Sequence, residues 1–432
     1  MTTLMIFLGL FFGLCLFFRV PAAFSLGIGA AGAFIYNQFP TVQMCQAIYN
    51  QLDSFSFLAI PMFILAGAIM EHGQISESLI NWIKFFIGKI RGALGLVTII
   101  ASAAFGVITG SAMATISAIG RIMGPSLERN GYTKPYIGAL LSSCGFLGIM
   151  IPPSIPGIMY ASASGASTSD VWISTIGAGL LFAVLYCIIN YVKVGRFETK
   201  EETAPMSPSS YVKAACTSTW NTLPAIIMPV IIFGGIYSGV FTPTEAGAVT
   251  CVYGLAYMVV KLLLRRSSIK ASVLYHSAVA AAISTGTVCI MAAFANAAGR
   301  VITLAGVSAA MSQFVTNNIG NKYIFLALVN LIYLFAGTFL ECNCAILILV
   351  PLLLPAAQAL GIDTIHFGAI TLVNLSVGNL TPPFAQGIFM ASKVVGSSFV
   401  EIVKEIWPFL IASFVVILIV TYFPPLSLFL VK

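Results

Sequence analysis

The sequence predicts an all-α, polytopic membrane protein: inverted repeats, about 10 transmembrane spans, two re-entrant helical hairpins and broken helices. Three observations carry that prediction. Hydrophobic residues make up 59% of the 432 and charged residues only 8%, with a mean hydropathy of +1.01; a water-facing surface typically needs about a quarter charged residues. Two apolar runs, 93–120 and 323–358, are long for one crossing and short for two, since one takes about 20 residues. Finally, 125–162 and 355–392 repeat one another at a constant offset of 230. Pro125, Gly131, Gly138, Ala139, Gly148, Pro152, Pro153, Gly157, Ile158, Ala161 and Ser162 recur as Pro355, Gly361, Gly368, Ala369, Gly378, Pro382, Pro383, Gly387, Ile388, Ala391 and Ser392. Duplicated Pro/Gly interruptions in so apolar a chain point to the paired, unwound binding helices of a secondary transporter.

The elements follow in order. The apolar run 4–18 comes after Met1-Thr2-Thr3, which lacks the positive region of a signal peptide, and no small-residue cleavage site stands out; it reads as a retained first span. Spans at 22–36 and 54–70 come next. In 74–91, Gln74, Ser76, Glu77, Asn81 and Lys84 alternate with apolar residues, as in an interfacial amphipathic arm, although a connecting loop would read alike. The hairpin 93–120, a broken helix 135–165 and a span 171–192 complete the first repeat half, 74–192. The longest polar stretch, Lys193 to Lys213, is a short linker with no room for a soluble domain. Spans 222–239, 244–263 and 271–298 lead to the second half, 300–430: arm 300–322, hairpin 323–358, broken helix 361–392 and last span 406–430. The whole of 1–432 is thus one integral membrane domain.

Charge sets the orientation. The formal charge of +7 is scattered between apolar segments and forms no patch for nucleic acid. If the two long runs are hairpins from opposite faces, the N-terminus is outside, and only Arg300, Lys322 and Lys432 of the 20 basic residues join it there. Every other Lys and Arg falls inside, as the positive-inside rule expects. Full double spans in place of the hairpins would leave these directions unchanged. The two repeats then run in opposite senses. Of the 9 cysteines, Cys15, Cys144, Cys187, Cys251 and Cys289 sit in apolar runs and no CxxC occurs, so they read as small buried hydrophobes.

Chemistry is expected where backbone is freed inside the membrane. The middle of the first hairpin, Thr109-Gly110-Ser111-Ala112-Met113-Ala114-Thr115, offers small residues and hydroxyls opposite the break Gly148-Ile149-Met150-Ile151-Pro152-Pro153-Ser154. The repeat-related places are Glu341-Cys342-Asn343-Cys344 and Gly378-Asn379-Leu380-Thr381-Pro382-Pro383. Proline removes donors and glycine lets backbones approach. Dense carbonyl and hydroxyl oxygens suit Na⁺, and half-helix N-termini suit an anion. Glu341, the sole carboxylate between Glu245 and Asp363, is either a cation or proton site or a solvated tip residue. Glu245 reads instead as the far end of a capping box begun by Thr242, with Pro243 at the first helical position. His72, His276 and His366 form no HExxH, no P-loop occurs, and Gly110-Ser111 lacks the flanks of a nucleophile elbow. A membrane hydrolase, an ion channel and an autonomous carrier stay as alternatives to coupled transport.

Several motifs resemble the large membrane (M) subunit of tripartite ATP-independent periplasmic (TRAP) transporters. They are Gly110 to Gly120, Leu147 to Pro156, Gly234-Gly235-Ile236-Tyr237-Ser238-Gly239 with Phe241 to Ala246, Ala345 to Pro351, and Asn374-Leu375 through Pro383, so the resemblance covers nearly the whole chain. It implies a bacterial inner-membrane importer of an organic anion of the sialic acid or C4-dicarboxylate type, not an enzyme. Na⁺ would be the coupling ion, with no organic cofactor. The partners implied are a separate small membrane (Q) subunit and a periplasmic substrate-binding protein. An elevator mechanism is also implied, with 4–70 and 222–298 mainly scaffold. By motif position, one sodium site would use Gly110, Ser111, Met113, Gly148, Ile151 and Pro152, and the other Glu341, Asn343, Gly378 and Thr381. Substrate would meet Ser111, Ala112, Ser154, Asn343 and Pro383 between the hairpin tips. The chain departs from the family pattern at Met113, at Glu341-Cys342-Asn343 and at Phe384-Ala385-Gln386, where Val-Gly is common. All three flank the expected substrate chamber.

Overall fold

The structure, a computed structural model, describes residues 2–73, 75–87, 90, 92–194, 208–263 and 272–431. Most of the expected linker (195–207), the start of the first arm at Gln74, and Lys89, Arg91, Arg196, Lys200, Arg265, Arg266, Lys270 and Lys432 lie outside the described residues. Among the described residues all regular structure is helical, as the sequence predicts.

Helices α1 (Thr2–Phe17) and α2 (Ala22–Tyr36) pack together, followed by α3 (Thr41–Leu52) and α4 (Ala59–His72), joined by one 3-10 turn and bent by 51°. The reading of a lone span at 54–70 missed α3. Within α3 the Gln51 amide donates to Ser162 Oγ at 3.1 Å, and Gln43, Gln46 and Asn50 line a cavity. The first arm is α5 (Ile75–Ile87), whose Trp82 Nε1 donates to Thr219 Oγ1 at 2.9 Å. Then come α6 (Ala93–Thr109), α7 (Ala112–Arg129), α8 (Lys134–Gly145), α9 (Leu147–Met150), α10 (Ile155–Ser164) and α11 (Thr168–Val194). The middle of the chain is α12 (Pro208–Tyr237), α13 (Pro243–Leu263) and α14 (Ser272–Leu304). Because α14 runs on to Leu304, the second arm is shorter than 300–322 and is α15 (Val307–Asn318). The second repeat continues as α16 (Lys322–Phe339), α17 (Cys342–Ala359), α18 (Thr364–Gly378), α19 (Gln386–Val395), α20 (Phe399–Tyr422) and α21 (Pro425–Leu428).

Seven described helices are long and apolar enough to cross a membrane, or nine if each of two bent pairs is one span. The expected ten included α1 and α2, which at 16 and 15 residues reach only about 24 Å against a core of about 30 Å. Phe17, Trp220, Leu331 and Ile411 are exposed on the outer faces, a surface that suits lipid and not water.

The repeat is visible in the packing. In the first repeat α10 packs on α17 and α18 of the second; reciprocally α19 packs on α7 and α8 of the first. Likewise α11 packs on α18, and α20 on α8. Such exchange is the signature of a two-fold relation. In each repeat a glycine on the first hairpin leg meets a glycine of the broken helix. A Cβ on Gly106 would lie 2.0 Å from Gly148 Cα, and one on Gly337 would lie 3.0 Å from Gly378 Cα.

The breaks form where the sequence places them. Pro152-Pro153 and Pro382-Pro383 are both cis, and their missing amide donors stop α9 and α18. After the first break α10 restarts on a cap: Ser154 Oγ accepts from Gly157 N at 3.1 Å, and Trp172 Nε1 donates to Ser154 O at 3.0 Å; α19 starts after Ala385 with no side-chain cap. The capping box read at α13 is present, with Thr242 N donating to Glu245 Oε2 at 2.8 Å and Glu245 N to Thr242 Oγ1 at 3.3 Å. Asp363 caps α18 by accepting from Ile365 N at 2.8 Å and His366 N at 3.0 Å. Asp363→Ala is expected to cost about 1 kcal/mol, read as a lower melting temperature in detergent with the sodium dependence of uptake unaltered.

Candidate functional site

The first hairpin turns at Gly110, whose φ of 57° is left-handed and cheap only for glycine. Ser111 is extended and begins α7. Thr115 Oγ1 donates to Ser111 O at 2.8 Å and lies 3.3 Å from Thr109 Oγ1. Gly148 sits directly beneath this hydroxyl: a Cβ there would come within 2.7 Å of Thr115 Oγ1. Ile155 N donates to Gly110 O at 3.5 Å, so tip and break are laced together.

The second tip is built around Glu341. Its carboxylate accepts from Asn343 N at 3.0 Å, Cys344 N at 3.4 Å and Asn343 Nδ2 at 2.8 Å. It thereby caps α17 and fixes which way the Asn343 amide points. Asn343 Oδ1 and Asn379 Oδ1 are both buried with no donor. A buried acceptor left without a partner costs about 1–3 kcal/mol, and an oxygen ligand for a hard cation is the chemistry it fits. Thr381 Oγ1 donates to Val377 O at 2.8 Å, which leaves its lone pairs as acceptors. Ala385 holds a φ of 27°; a positive φ in a non-glycine residue costs about 1–2 kcal/mol.

One cavity of ≈ 610 Å³ joins these parts. Both tips line it, through Thr109 to Ala114 and through Glu341 and Asn343, and so do both breaks, through Ile149, Ile155, Asn379 and Gln386. Its remaining wall comes from α2, α4 and α14. The first turns of α7, α10, α17 and α19 all face it, and each N-terminus carries about half a positive charge. The ends of α6, α9 and α18 face it as well, with the opposite polarity. No Lys or Arg is among its described lining residues, and both lining carboxylates have partners: Glu71 pairs with Arg121, and Glu341 caps its helix. What the described lining offers a charged guest is therefore mainly backbone dipoles and neutral oxygens.

Of the residues named from the sequence, Gly110, Ser111, Ala112, Met113, Glu341 and Asn343 line this cavity. Gly148 and Gly378 support it from behind through the glycine contacts. Ile151, Pro152 and Thr381 lie on the breaks outside the lining; Ser154 is buried with its hydroxyl capping α10, and Pro383 is exposed away from the cavity. Thr109 and Asn379, named from the sequence as parts of the first tip and the second break, line the cavity as well, and Gln386 was not anticipated. Asn379 carried a signal, an amide beside Gly378 at a duplicated break.

Comparisons with known proteins identify relatives and a similar fold. The family model "Tripartite ATP-independent periplasmic transporter, DctM component" matches residues 8–426. The chain is 32% identical over 420 residues to the isethionate TRAP transporter permease protein DctMQ of Oleidesulfovibrio alaskensis, covering 97% of this chain and 65% of that relative. It is 34% identical to the C4-dicarboxylate TRAP transporter large permease protein DctM of Pseudomonas aeruginosa (94% of this chain, 93% of the relative). With the sialic acid TRAP transporter large permease protein SiaM of Vibrio cholerae it shares 31% identity (96% and 95%). In fold it is similar to the YdaH transporter of Alcanivorax borkumensis, with a TM-score of 0.62 at 12% identity over 89% of this chain and 90% of that one.

Proposed function

The chain belongs to the DctM component family of tripartite ATP-independent periplasmic transporters, a multi-pass protein of the bacterial inner membrane, and we propose that it imports an organic anion together with Na⁺. The observation that carries this reading is the single cavity lined by both hairpin tips and both helix breaks. Four helix N-termini attract the anion's head group. Oxygen-bearing residues accompany them: Gly110 and Ser111, backed by Thr115, at the first tip, and Asn343 and Asn379 at the second, with Thr381 on the same break as Asn379.

In this proposal the two repeat halves, 74–192 and 300–430, carry the site, and 4–70 with 222–298 form the scaffold it moves against. The cavity lies where α2, α4 and α14 meet the hairpin tips, as a moving site against a fixed wall requires. Glu71 of α4 pairs with Arg121 of α7 across that same boundary, on the face the charge distribution makes cytoplasmic. A periplasmic binding protein delivers the substrate and a small membrane subunit completes the assembly. The relatives are named for isethionate, C4-dicarboxylates and sialic acid, and the shared feature is an acidic head group.

Ser111→Ala and Thr381→Ala are expected to raise the Na⁺ concentration for half-maximal uptake several-fold while the protein stays folded. Unchanged Na⁺ activation in both would remove these residues from the site. A channel would give flux without saturation or ion coupling, and a hydrolase would give product without uptake.

A further inference from the structure

A second cavity, of ≈ 430 Å³, lies between α3, α10, α14 and α17. Its polar wall is two facing helical stripes. Gln43, Gln46 and Asn50 on α3 stand at positions i, i+3 and i+7, and Asn296, Arg300 and Thr303 on α14 stand at i, i+4 and i+7, so each set shares one helix face. Asn296 Nδ2 donates to Ala47 O at 2.8 Å and ties the stripes together. Arg300 is the one ionisable side chain in the lining, no carboxylate lines it, and among the described residues Arg300 makes no ion pair. Gln43 Oε1 is buried there with no donor.

Three helices run from the central cavity to this one. Along α14 the central cavity takes Ala280 to Met291 and the second takes Asn296 to Thr303; along α17 the order is Asn343 then Leu347 and Pro351; along α10 it is Ile155 then Ser162. The axial step on α14, between residues near 287 and 300, is about 20 Å. Between them Ala292 and Ala295 of α14 are fully buried. Arg300 is also one of the three basic residues that the charge distribution places outside.

We propose that this second cavity is an outer anteroom that binds the carboxylate or sulfonate of the arriving organic anion through the Arg300 guanidinium and the surrounding amides, before the central site opens to it. It rests on the reading of the chain as an anion importer, and adds to it a separate site. The guanidinium offers parallel N–H donors that match two oxygens of a carboxylate or a sulfonate, and no carboxylate in the lining competes for them. The Gln43 carbonyl oxygen adds an acceptor for a hydroxyl on the guest.

The test uses the full chain with its small subunit in proteoliposomes, Cys45 and Cys216 replaced by Ala, and Thr303→Cys as the reporter. Two membrane-impermeant thiol reagents are compared, sulfonatoethyl and trimethylammonioethyl methanethiosulfonate, each rate being normalised to that reagent's rate with a free small thiol. The sulfonate reagent is expected to react about tenfold faster than the cationic one, in keeping with focusing of anions by a cleft charge. Arg300→Gln should abolish the difference, Arg300→Lys should keep most of it, and millimolar succinate, isethionate or N-acetylneuraminate should slow the sulfonate reagent. Equal normalised rates, a preference that survives Arg300→Gln, or no protection by any of the three acids would overturn the anteroom. If the preference is absent while Na⁺-driven uptake persists, the anteroom alone fails. If the preference is present in a protein that transports no acid, the importer reading fails instead.

Discussion

Gly106→Ala is expected to reduce uptake by more than tenfold and to lower the melting temperature. The added Cβ would stand 2.0 Å from Gly148 Cα and 2.8 Å from Gly148 N, and neither is a side-chain end that can swing aside. The hairpin leg must move off the broken helix, and overpacking of this kind costs about 1–3 kcal/mol. That displacement reaches the site because Gly148 lies under Thr115, whose hydroxyl holds Ser111 O. The repeat-related Gly337→Ala meets Gly378 Cα at 3.0 Å and should be milder in both respects. Initial uptake rates and thermal unfolding in detergent measure the pair; a Gly106→Ala protein that transports at the parental rate would show that the close approach is incidental.

The other large effect is expected at the amide oxygens of the second tip. Asn343→Ala and Asn379→Ala each delete a buried acceptor that no protein donor satisfies. If those oxygens hold Na⁺, losing one costs about 1–3 kcal/mol of ion binding, so the Na⁺ concentration for half-maximal uptake rises roughly 5- to 150-fold. Asn379→Asp keeps an oxygen and should fall well short of that. Because Asn343 also donates to Glu341, its truncation additionally loosens the cap of α17, and the two variants separate ion binding from helix capping. Sodium activation that stays at the parental value in both would exclude the second tip as a cation site.

What the sequence made legible was what breaks helices. Pro152-Pro153 and Pro382-Pro383 sit in an otherwise apolar chain, so their interruptions and their duplication were plain, and with the two over-long apolar runs they led to both hairpins, both breaks and six of the cavity-lining residues. Gly106 and Gly337 were not legible, because a glycine inside an apolar run looks like any other until its partner glycine is placed against it. Helix α3 was hidden because Gln43, Gln46, Asn50 and Gln51 break up the apolar run that marks a span, and Ser162, the partner of Gln51, lies more than a hundred residues away. Ser154 and Pro383 were assigned to the substrate by their neighbourhood in the motif; in the structure the Ser154 hydroxyl caps α10 and Pro383 is exposed. The end of α14 was misjudged as well, because Arg300 suggests a span boundary, yet it continues a polar stripe along one helix face.

The most direct measurement is uptake of radiolabelled isethionate, succinate and N-acetylneuraminate into proteoliposomes containing this chain and its small membrane partner, with and without the binding protein and an inward Na⁺ gradient. Accumulation of one of these acids that requires both is the predicted result. Robust flux that needs neither the binding protein nor Na⁺ would contradict it.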